Sequence, residues 1–539
     1  MRATWISTVE APKLAQKAKM QHNVAVELPA PRGAILSSDG RGLAIGQRAY
    51  TISADPRHVA EPARVAAQLT ATLGGDLAER MRLERLMRGG GGYVVLAKDV
   101  DPKRVTYLRG LGLAGVSYDE VEQRYYPQGR LAGQVLGLVQ SDTETGISGI
   151  EGRLNPVLRG VPGRRVEVRD AAQGRTVRIQ STRDPVPGRD VELTINSAVQ
   201  QQVEDVLATT RKRYGAKSAW AIVMDPRNGA ILAMANVPRV NPNNRASYNL
   251  GDARAKVVTD DFEPGSVFKI VTMAGALQEG LVQPDQQFTL PPQITLYKGT
   301  PDQFTLGEAH KRGWERWSAT EILQKSSNIG TVEIANLLRR RNQLRKWIGR
   351  FGFGKLTGVD FDGESPGVLP KIWSGASPYN IPIGQGITVT ELQLARAYAA
   401  VANGGFLIRP HVIARAGGRP EPQPPRHRII SPRTASQLTA MLEKVVNPDG
   451  TGVNAEIPRY TVAGKTGTAQ KVDPKLKTYV DRYRSSFIGF VPASRPRLLV
   501  SVMVDDPDVR GPHTGGEVAA PAFQQIAEFA LNRLGIPPG

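Results

Sequence analysis

The spacing of apolar residues changes several times along the chain, and each change marks a shift from one kind of element to another. In the first third, short apolar runs such as Tyr93-Val94-Val95-Leu96 stand between turn clusters at Ser37-Ser38-Asp39-Gly40 and Val161-Pro162-Gly163, a pattern of short strands. Among them Val65, Leu69 and Leu73 fall at helical spacing, Gly74-Gly75 breaks it, and Leu77, Met81 and Leu86 predict a second short helix ended by Gly89-Gly90-Gly91-Gly92. At Val191-Glu192-Leu193-Thr194-Ile195-Asn196 an alternating strand leads into residues 197–210, where Val199, Val203 and Leu207 repeat at helical spacing. A new domain is expected to start there.

Two strands follow at once. Ala219-Trp220-Ala221-Ile222-Val223-Met224 and Ala230-Ile231-Leu232-Ala233-Met234 flank Asp225-Pro226-Arg227-Asn228-Gly229, whose Asn-Gly favours a hairpin turn. Far along the chain, Ser486-Phe487-Ile488-Gly489-Phe490-Val491 and Leu498-Leu499-Val500-Ser501-Val502-Met503-Val504 predict more strand, with helical patterns such as 390–402 between. Strands early and late with helices between them predict an α+β domain whose sheet joins distant parts of the chain. No internal repeat is present.

At 539 residues the chain exceeds what one hydrophobic core usually supports, so two or three domains are expected, divided as residues 1–22, 23–190 and 191–535. Seventy Lys and Arg against fifty Asp and Glu leave a formal charge of +20, which suits an anionic polymer, a membrane surface or nucleic acid. Nucleic acid is set aside: the basic residues are scattered, and no helix-turn-helix, aromatic RNA-binding or zinc spacing accompanies them. The absence of cysteine excludes disulfides, thiolate metal sites and a cysteine nucleophile. No run of about 18 apolar residues exists, and Met1-Arg2-Ala3-Thr4-Trp5-Ile6 lacks the apolar core of a signal peptide.

Three short segments carry candidate chemistry. Glu263-Pro264-Gly265 is a turn before the apolar-faced helix that starts at Ser266-Val267-Phe268-Lys269. One turn apart, Lys269 can reach the hydroxyl of Ser266, and the free N–H groups of the first helical turn can meet an anionic oxygen. For the amine to accept a proton near neutrality its pKa must fall, through desolvation or a second cation. The second segment is Lys325-Ser326-Ser327-Asn328-Ile329-Gly330, a polar loop between two helical patterns; Ser326 can relay a proton and Asn328 can donate to an amide carbonyl. Ser247-Tyr248-Asn249 has the same spacing but precedes Ser266.

The third segment, Thr461-Val462-Ala463-Gly464-Lys465-Thr466-Gly467-Thr468-Ala469-Gln470, is a strand whose glycines let a ligand approach the backbone. Lys465 can supply the second cation and attract a carboxylate, which Thr466, Gly467 and Thr468 would bind. A phosphate-binding loop fails here because Arg459 stands where the first glycine of that pattern belongs. Taken singly, the three segments read as a helix cap with a surface lysine, a polar helix cap and a plain edge strand.

Taken together and in this order, Ser-x-x-Lys, Ser-x-Asn and Lys-Thr-Gly resemble the signature set of penicillin-binding proteins and class A β-lactamases. Arg32-Gly33-Ala34-Ile35, Arg124-Tyr125-Tyr126-Pro127 and Gly146-Ile147-Ser148-Gly149-Ile150-Glu151 are similar to motif blocks of the class B penicillin-binding proteins, although Ser37-Ser38-Asp39-Gly40 departs from the usual continuation of the first. Within that class, Gly464 to Gln470, Phe487-Ile488-Gly489-Phe490-Val491-Pro492 and Gly515-Gly516-Glu517-Val518-Ala519-Ala520-Pro521 look most like the FtsI-type division enzymes, with an elongation-specific relative as the near alternative.

The resemblance implies a C-terminal transpeptidase domain, with a five-stranded sheet flanked by helices, over 191–535, on a β-rich, non-catalytic pedestal of the dimerisation type over 23–190. The pedestal blocks are read as turns without chemistry. It implies acyl transfer with Ser266 as nucleophile, Lys269 as base, Ser326 as proton relay, Asn328 as substrate donor, and Lys465, Thr466 and Thr468 as a carboxylate clamp. The N–H groups of Ser266 and Thr468 would form an oxyanion hole, and no metal or organic cofactor is implied. Peptidoglycan stem peptides and β-lactams are the implied ligands; a membrane-embedded SEDS-type glycan polymerase and other divisome proteins are the implied partners, at the outer face of the bacterial cytoplasmic membrane. Relatives carry one membrane-spanning helix just before a segment like Leu14 to Gln21, so a shortened start is expected. A class A β-lactamase is disfavoured, since no Glu-x-x-Leu-Asn follows Ser326. A non-catalytic β-lactam sensor or a D,D-carboxypeptidase shares the same motifs.

Overall fold

The computed structural model describes residues 23–539 apart from 141–144, 170–175, 245–247, 301–302, 341–342, 374, 474 and 477. The membrane-proximal segment 1–22 and Ser247 lie outside the described residues.

The N-terminal part is rich in β-structure. Asn23–Leu28, Gly163–Arg169 and Thr176–Arg183 form one antiparallel sheet. In a second sheet, the long strand Gly42–Ala54 pairs with Val94–Val100 and with Val116–Tyr125. Helices Pro62–Leu73 and Leu77–Met87 form as the periodicity predicts. Proline opens the first, where its missing N–H costs nothing, and Gly74 ends it at a φ of +84°. In the second, Leu83 and Met87 are buried while Leu77 and Met81 stand 70% and 55% exposed. Both pairs have i,i+4 spacing, and tertiary packing chooses between them.

The motif blocks read from sequence as turns have a larger structural role. Arg32, Arg124 and Glu151, far apart in the chain, meet in a buried ion triad. Glu151 Oε2 accepts from Arg32 Nε at 2.8 Å and Oε1 from Arg124 Nε at 2.6 Å; Arg124 Nη1 also donates to Gly33 O at 2.8 Å. One carboxylate is shared by two guanidinium groups, and removing it would leave uncompensated buried ions at a cost of several kcal/mol.

The same sheet continues into the C-terminal part. Ile35–Leu36 lies parallel to Val191–Leu193, which pairs on its other side with Ile413–Ala416. Further links cross the junction: Asp39 accepts from the Ser197 N–H at 2.9 Å and its hydroxyl at 2.7 Å, and Glu204 Oε1 accepts from Ala132 N at 2.8 Å.

In the C-terminal part, strands β1 (Ser218–Met224), β2 (Ile231–Val237), β3 (Ala463–Asp473), β4 (Thr478–Val491) and β5 (Leu498–Asp505) form an antiparallel sheet in the order β2-β1-β5-β4-β3. Helices α1 (Ser197–Arg213) and α6 (Ala520–Arg533) cover one face; α2 (Lys269–Gln278), α3 (Asn328–Arg340), α4 (Glu391–Ala402) and α5 (Pro432–Val446) belong to the other side. The alternation of β1 serves two cores: Ala219, Ala221 and Val223 pack with α1 and α6, while Trp220, Ile222 and Met224 join the α2 and α4 core. The predicted hairpin joins β1 and β2, with Gly229 at a φ of +81°, and a Cβ there would lie 2.7 Å from Arg409 O. β3 is left at the sheet edge.

Glu391, the first residue of α4, is fully buried against β5, where one carboxyl oxygen accepts from the Ser501 hydroxyl and the other has no partner. Burial raises its carboxyl to about 7, with the Ser501 hydrogen bond opposing. Between its unfolded value and pH 7 the folded state therefore binds the extra proton, and stability falls as pH rises through that window. Glu391→Gln should remove this dependence and gain ~3 kcal/mol above pH 7 relative to the parent. Urea titrations of both proteins at pH 5 and pH 8 check it; equal pH dependence in the two would contradict it.

Candidate active site

Ser266 lies in a 3-10 turn, Gly265–Phe268, and α2 begins only at Lys269, so the predicted helix start is tightened by one turn. The cause is Gly265, at a φ of +60°, whose N–H donates to Gly384 O at 3.0 Å. Neighbours crowd this turn from three sides. A Cβ on Gly384 would lie 2.2 Å from Gly265 O, and one on Gly467 would lie 3.0 Å from a Val267 methyl. From α4, the buried hydroxyl of Tyr398 donates to Val267 O at 2.8 Å. Ser266, half-exposed, is thereby set against β3 close to Thr468.

Lys269 is 1% exposed. Its amine donates to Asn328 Oδ1 at 2.8 Å, to Ser326 O at 2.5 Å and to Ser326 Oγ at 3.3 Å. The spacing predicts an amine reaching Ser266; the hydrogen bonds the amine makes go to the Ser326–Asn328 loop. Burial lowers the amine to about 7, and the charge of Glu308 opposes that fall.

Lys465 is 0% exposed and donates to Thr466 O at 3.1 Å and Thr466 Oγ1 at 3.3 Å. Burial holds this amine well below the ordinary lysine range, and repulsion from Lys269 lowers it further. The two amines are thus close enough for their charges to repel. Desolvation is the first cause of the fall for both amines.

Ser326 and Asn328 are presented by the predicted loop, between helix Ala319–Gln324 and α3. Ser326 adopts a φ of +59°, unusual without glycine, and its N–H donates to Leu323 O at 3.2 Å while Ser327 N donates to Ile322 O at 2.9 Å. Asn328 Nδ2 donates to Gly307 O at 3.1 Å, which orients its carbonyl oxygen at Lys269. On β3, the side chains of Thr466 and Thr468 share a face, but their surroundings differ. Thr466 is buried, with its hydroxyl 2.6 Å from that of Thr451; Thr468 is exposed and accepts from Gly515 N at 3.1 Å. A Cβ on Gly515 would lie 2.3 Å from Gly467 O, so the Gly515-Gly516 segment packs directly on the strand.

Two residues of this neighbourhood escape sequence reasoning. Thr451 sits in a Gly-flanked turn and Glu308 in a polar stretch, and neither has a spacing that ties it to the three motifs. Among the described residues, no group of three or more carboxylates and imidazoles gathers as a metal site.

Comparison with known proteins matches residues 219–528 to the family described as penicillin binding protein transpeptidase domain, and residues 27–193 to the penicillin-binding protein dimerisation domain. The chain is 34% identical to a probable peptidoglycan D,D-transpeptidase PbpC of Pseudomonas aeruginosa, over 95% of this chain and 88% of that one. It is 32% identical to the peptidoglycan D,D-transpeptidase FtsI of Escherichia coli K12, over 100% of this chain and 89% of that one. Among solved structures, penicillin binding protein 3 of Mycobacterium tuberculosis in complex with aztreonam superposes with a TM-score of 0.73 at 28% identity, covering 95% of this chain and 98% of that one.

Thr451→Val should remove the shorter of the two hydrogen bonds of the Thr466 hydroxyl, leaving that from Lys465, at a cost of ~1 kcal/mol. The expected outcome is an approximately fivefold slower second-order acylation by a fluorescent penicillin, with a melting temperature lower by about 2 °C.

Proposed function

The chain belongs to the class B penicillin-binding proteins, serine peptidoglycan D,D-transpeptidases of the penicillin-sensitive type, and from that premise we propose residue roles and a place of action. Ser266 Oγ attacks the penultimate D-Ala carbonyl of a stem peptide, and its proton passes to the neutral amine of Lys269. The oxyanion is held by the backbone N–H groups of Ser266 and Thr468, supported by the close packing of the Gly265 turn on edge strand β3. Ser326, 3.3 Å from the Lys269 amine, carries the proton onward to the departing D-Ala amine. An amine of a neighbouring stem then attacks the ester carbonyl, Ser266 regains its proton, and the cross-link is complete.

Asn328 keeps one amide proton for the substrate after donating to Gly307 O. Thr468 presents its hydroxyl to the substrate carboxylate; Thr466 and Gly467 shape the strand behind it. Burial holds the Lys465 amine well below the ordinary lysine range, and a carboxylate arriving beside it favours the protonated, attracting form. The single observation that carries this reading is the burial of two lysine amines beside the Ser266 turn.

The reading extends to the setting. Stem peptides are cross-linked at the outer face of the cytoplasmic membrane, with strands supplied by a membrane-embedded SEDS-type polymerase and other divisome proteins, and a septal role is favoured by the Gly464–Gln470 and Gly515–Pro521 blocks. Among the described residues, no helix is long and apolar enough to cross a membrane.

Incubation with a fluorescent penicillin should label the parent with one covalent, denaturation-resistant adduct and leave Ser266→Ala unlabelled, read by gel and intact mass. With a D-Ala-D-Ala donor, an added amine should enter the product as D-Ala leaves. Label on the alanine variant would overturn the assignment of the nucleophile, and hydrolysis alone would point to a carboxypeptidase.

A further inference from the structure

One carboxylate beside this site has no part in the chemistry just described. Glu308 follows the strand Phe304–Gly307, and its side chain is 8% exposed. Oε1 accepts from Ser327 Oγ at 2.6 Å and from Arg312 Nη2 at 2.8 Å, and Oε2 accepts from Asn328 N at 2.7 Å. These bonds grip the two residues that follow Ser326, whose left-handed backbone needs external support. Asn328, fixed at its N–H by Glu308, turns its Oδ1 to the Lys269 amine.

We propose that Glu308 is the positioning residue of the acylation step: it clamps the Ser326–Asn328 turn that receives the Lys269 amine, and its negative charge, partly offset by Arg312, retains the proton on that amine. The proposal rests on Lys269 being the base for Ser266. The charged groups facing Lys269 are Glu308 and, from β3, Lys465; those facing Glu308 are Arg312, in its own loop, and Lys269, on α2.

Burial pushes the Glu308 carboxyl up, but the hydrogen bonds of Ser327, Arg312 and Asn328 and the nearby Lys269 outweigh it, so the group stays ionised at neutral pH. Its charge acts on Lys269 against desolvation. Arg312 is itself fixed, donating to Leu290 O at 3.2 Å and lying 4.7 Å over the Trp317 ring. The opposed signs of Glu308 and Arg312 give opposed expectations. Removing the anion should free the Lys269 amine of its proton at lower pH; removing the cation should delay that release to higher pH.

The test is the second-order rate of acylation of the full chain by a fluorescent penicillin from about pH 5 to 9. In Glu308→Gln the acid limb should move to lower pH, while the plateau falls about tenfold as the turn loosens. A half-unit move shows as an approximately two- to threefold higher rate relative to plateau, one unit below the parent's midpoint. Glu308→Asp should hold the limb near the parent's position with a smaller loss of plateau, and Arg312→Met should move the limb to higher pH. An unmoved limb in Glu308→Gln, or limbs that move the same way in Glu308→Gln and Arg312→Met, would overturn the proposal. If Glu308→Gln melts below the assay temperature, Arg312→Met decides alone, and an unmoved or lowered limb sinks the idea. Ser266→Ala run alongside separates the two readings: label on it would refute the nucleophile and the premise with it, whereas an unmoved limb with Ser266→Ala unlabelled would refute the role of Glu308 alone.

Discussion

A primary amine removed from water loses its proton more readily than it gives up its hydrogen bonds, and Lys269 and Lys465 are held at 1% and 0% exposure by the surrounding packing. An isolated buried ammonium costs several kcal/mol, so a neutral amine is the cheaper state for a pair that also repels when both are charged. The other features of the site follow from keeping this pair dry. Gly384 lets its loop approach the nucleophile turn to a distance that a Cβ would forbid, Gly265 turns at a φ of +60°, and Gly467 keeps edge strand β3 close against Val267. Tyr398 closes the turn from α4, and Thr451 and Gly515 close the strand from behind. What remains open is Ser266 and Thr468, where a substrate carbonyl and carboxylate can arrive.

The pedestal is coupled to this domain by polar contacts as much as by apolar ones. Within the pedestal, the Arg32, Glu151 and Arg124 triad ties three distant segments together with directional bonds, which a purely apolar contact would leave free to slide. Asp39 caps α1, and the Val191–Leu193 strand belongs to a sheet shared by both parts. The chain therefore passes from pedestal to enzyme through a paired strand. A strand fixed on both sides transmits orientation better than an exposed linker would.

Sequence pattern reached far where the determining contacts are local. The Asn228-Gly229 hairpin, α1, α4 and the order of the three motifs follow from spacing and turn chemistry. It reached less far where partners lie far apart in the chain. Nothing local announces that Arg32, Arg124 and Glu151 meet, that Glu308 holds the Ser327–Asn328 turn, or that Thr451 sits against Thr466. The Leu77 and Met81 face shows the same limit, since periodicity predicts the helix but cannot say which of two apolar pairs the neighbours will cover. Direction within the site was also hidden. Spacing puts Lys269 one turn from Ser266 but does not show that its amine bonds to Ser326 and Asn328, on a segment far along the chain.

The central claim, that burial makes a lysine of this chain into a base at neutral pH, is tested most directly by titrating the lysine side chains themselves. Lysine-selective ε-carbon labelling and NMR from pH 5 to about 11, with Lys269→Arg used to assign the signal, would follow that amine without any substrate. The account predicts that the resonance absent from Lys269→Arg titrates near 7 in the parent. A resonance that titrates with the surface lysines, near 10.5, would contradict it.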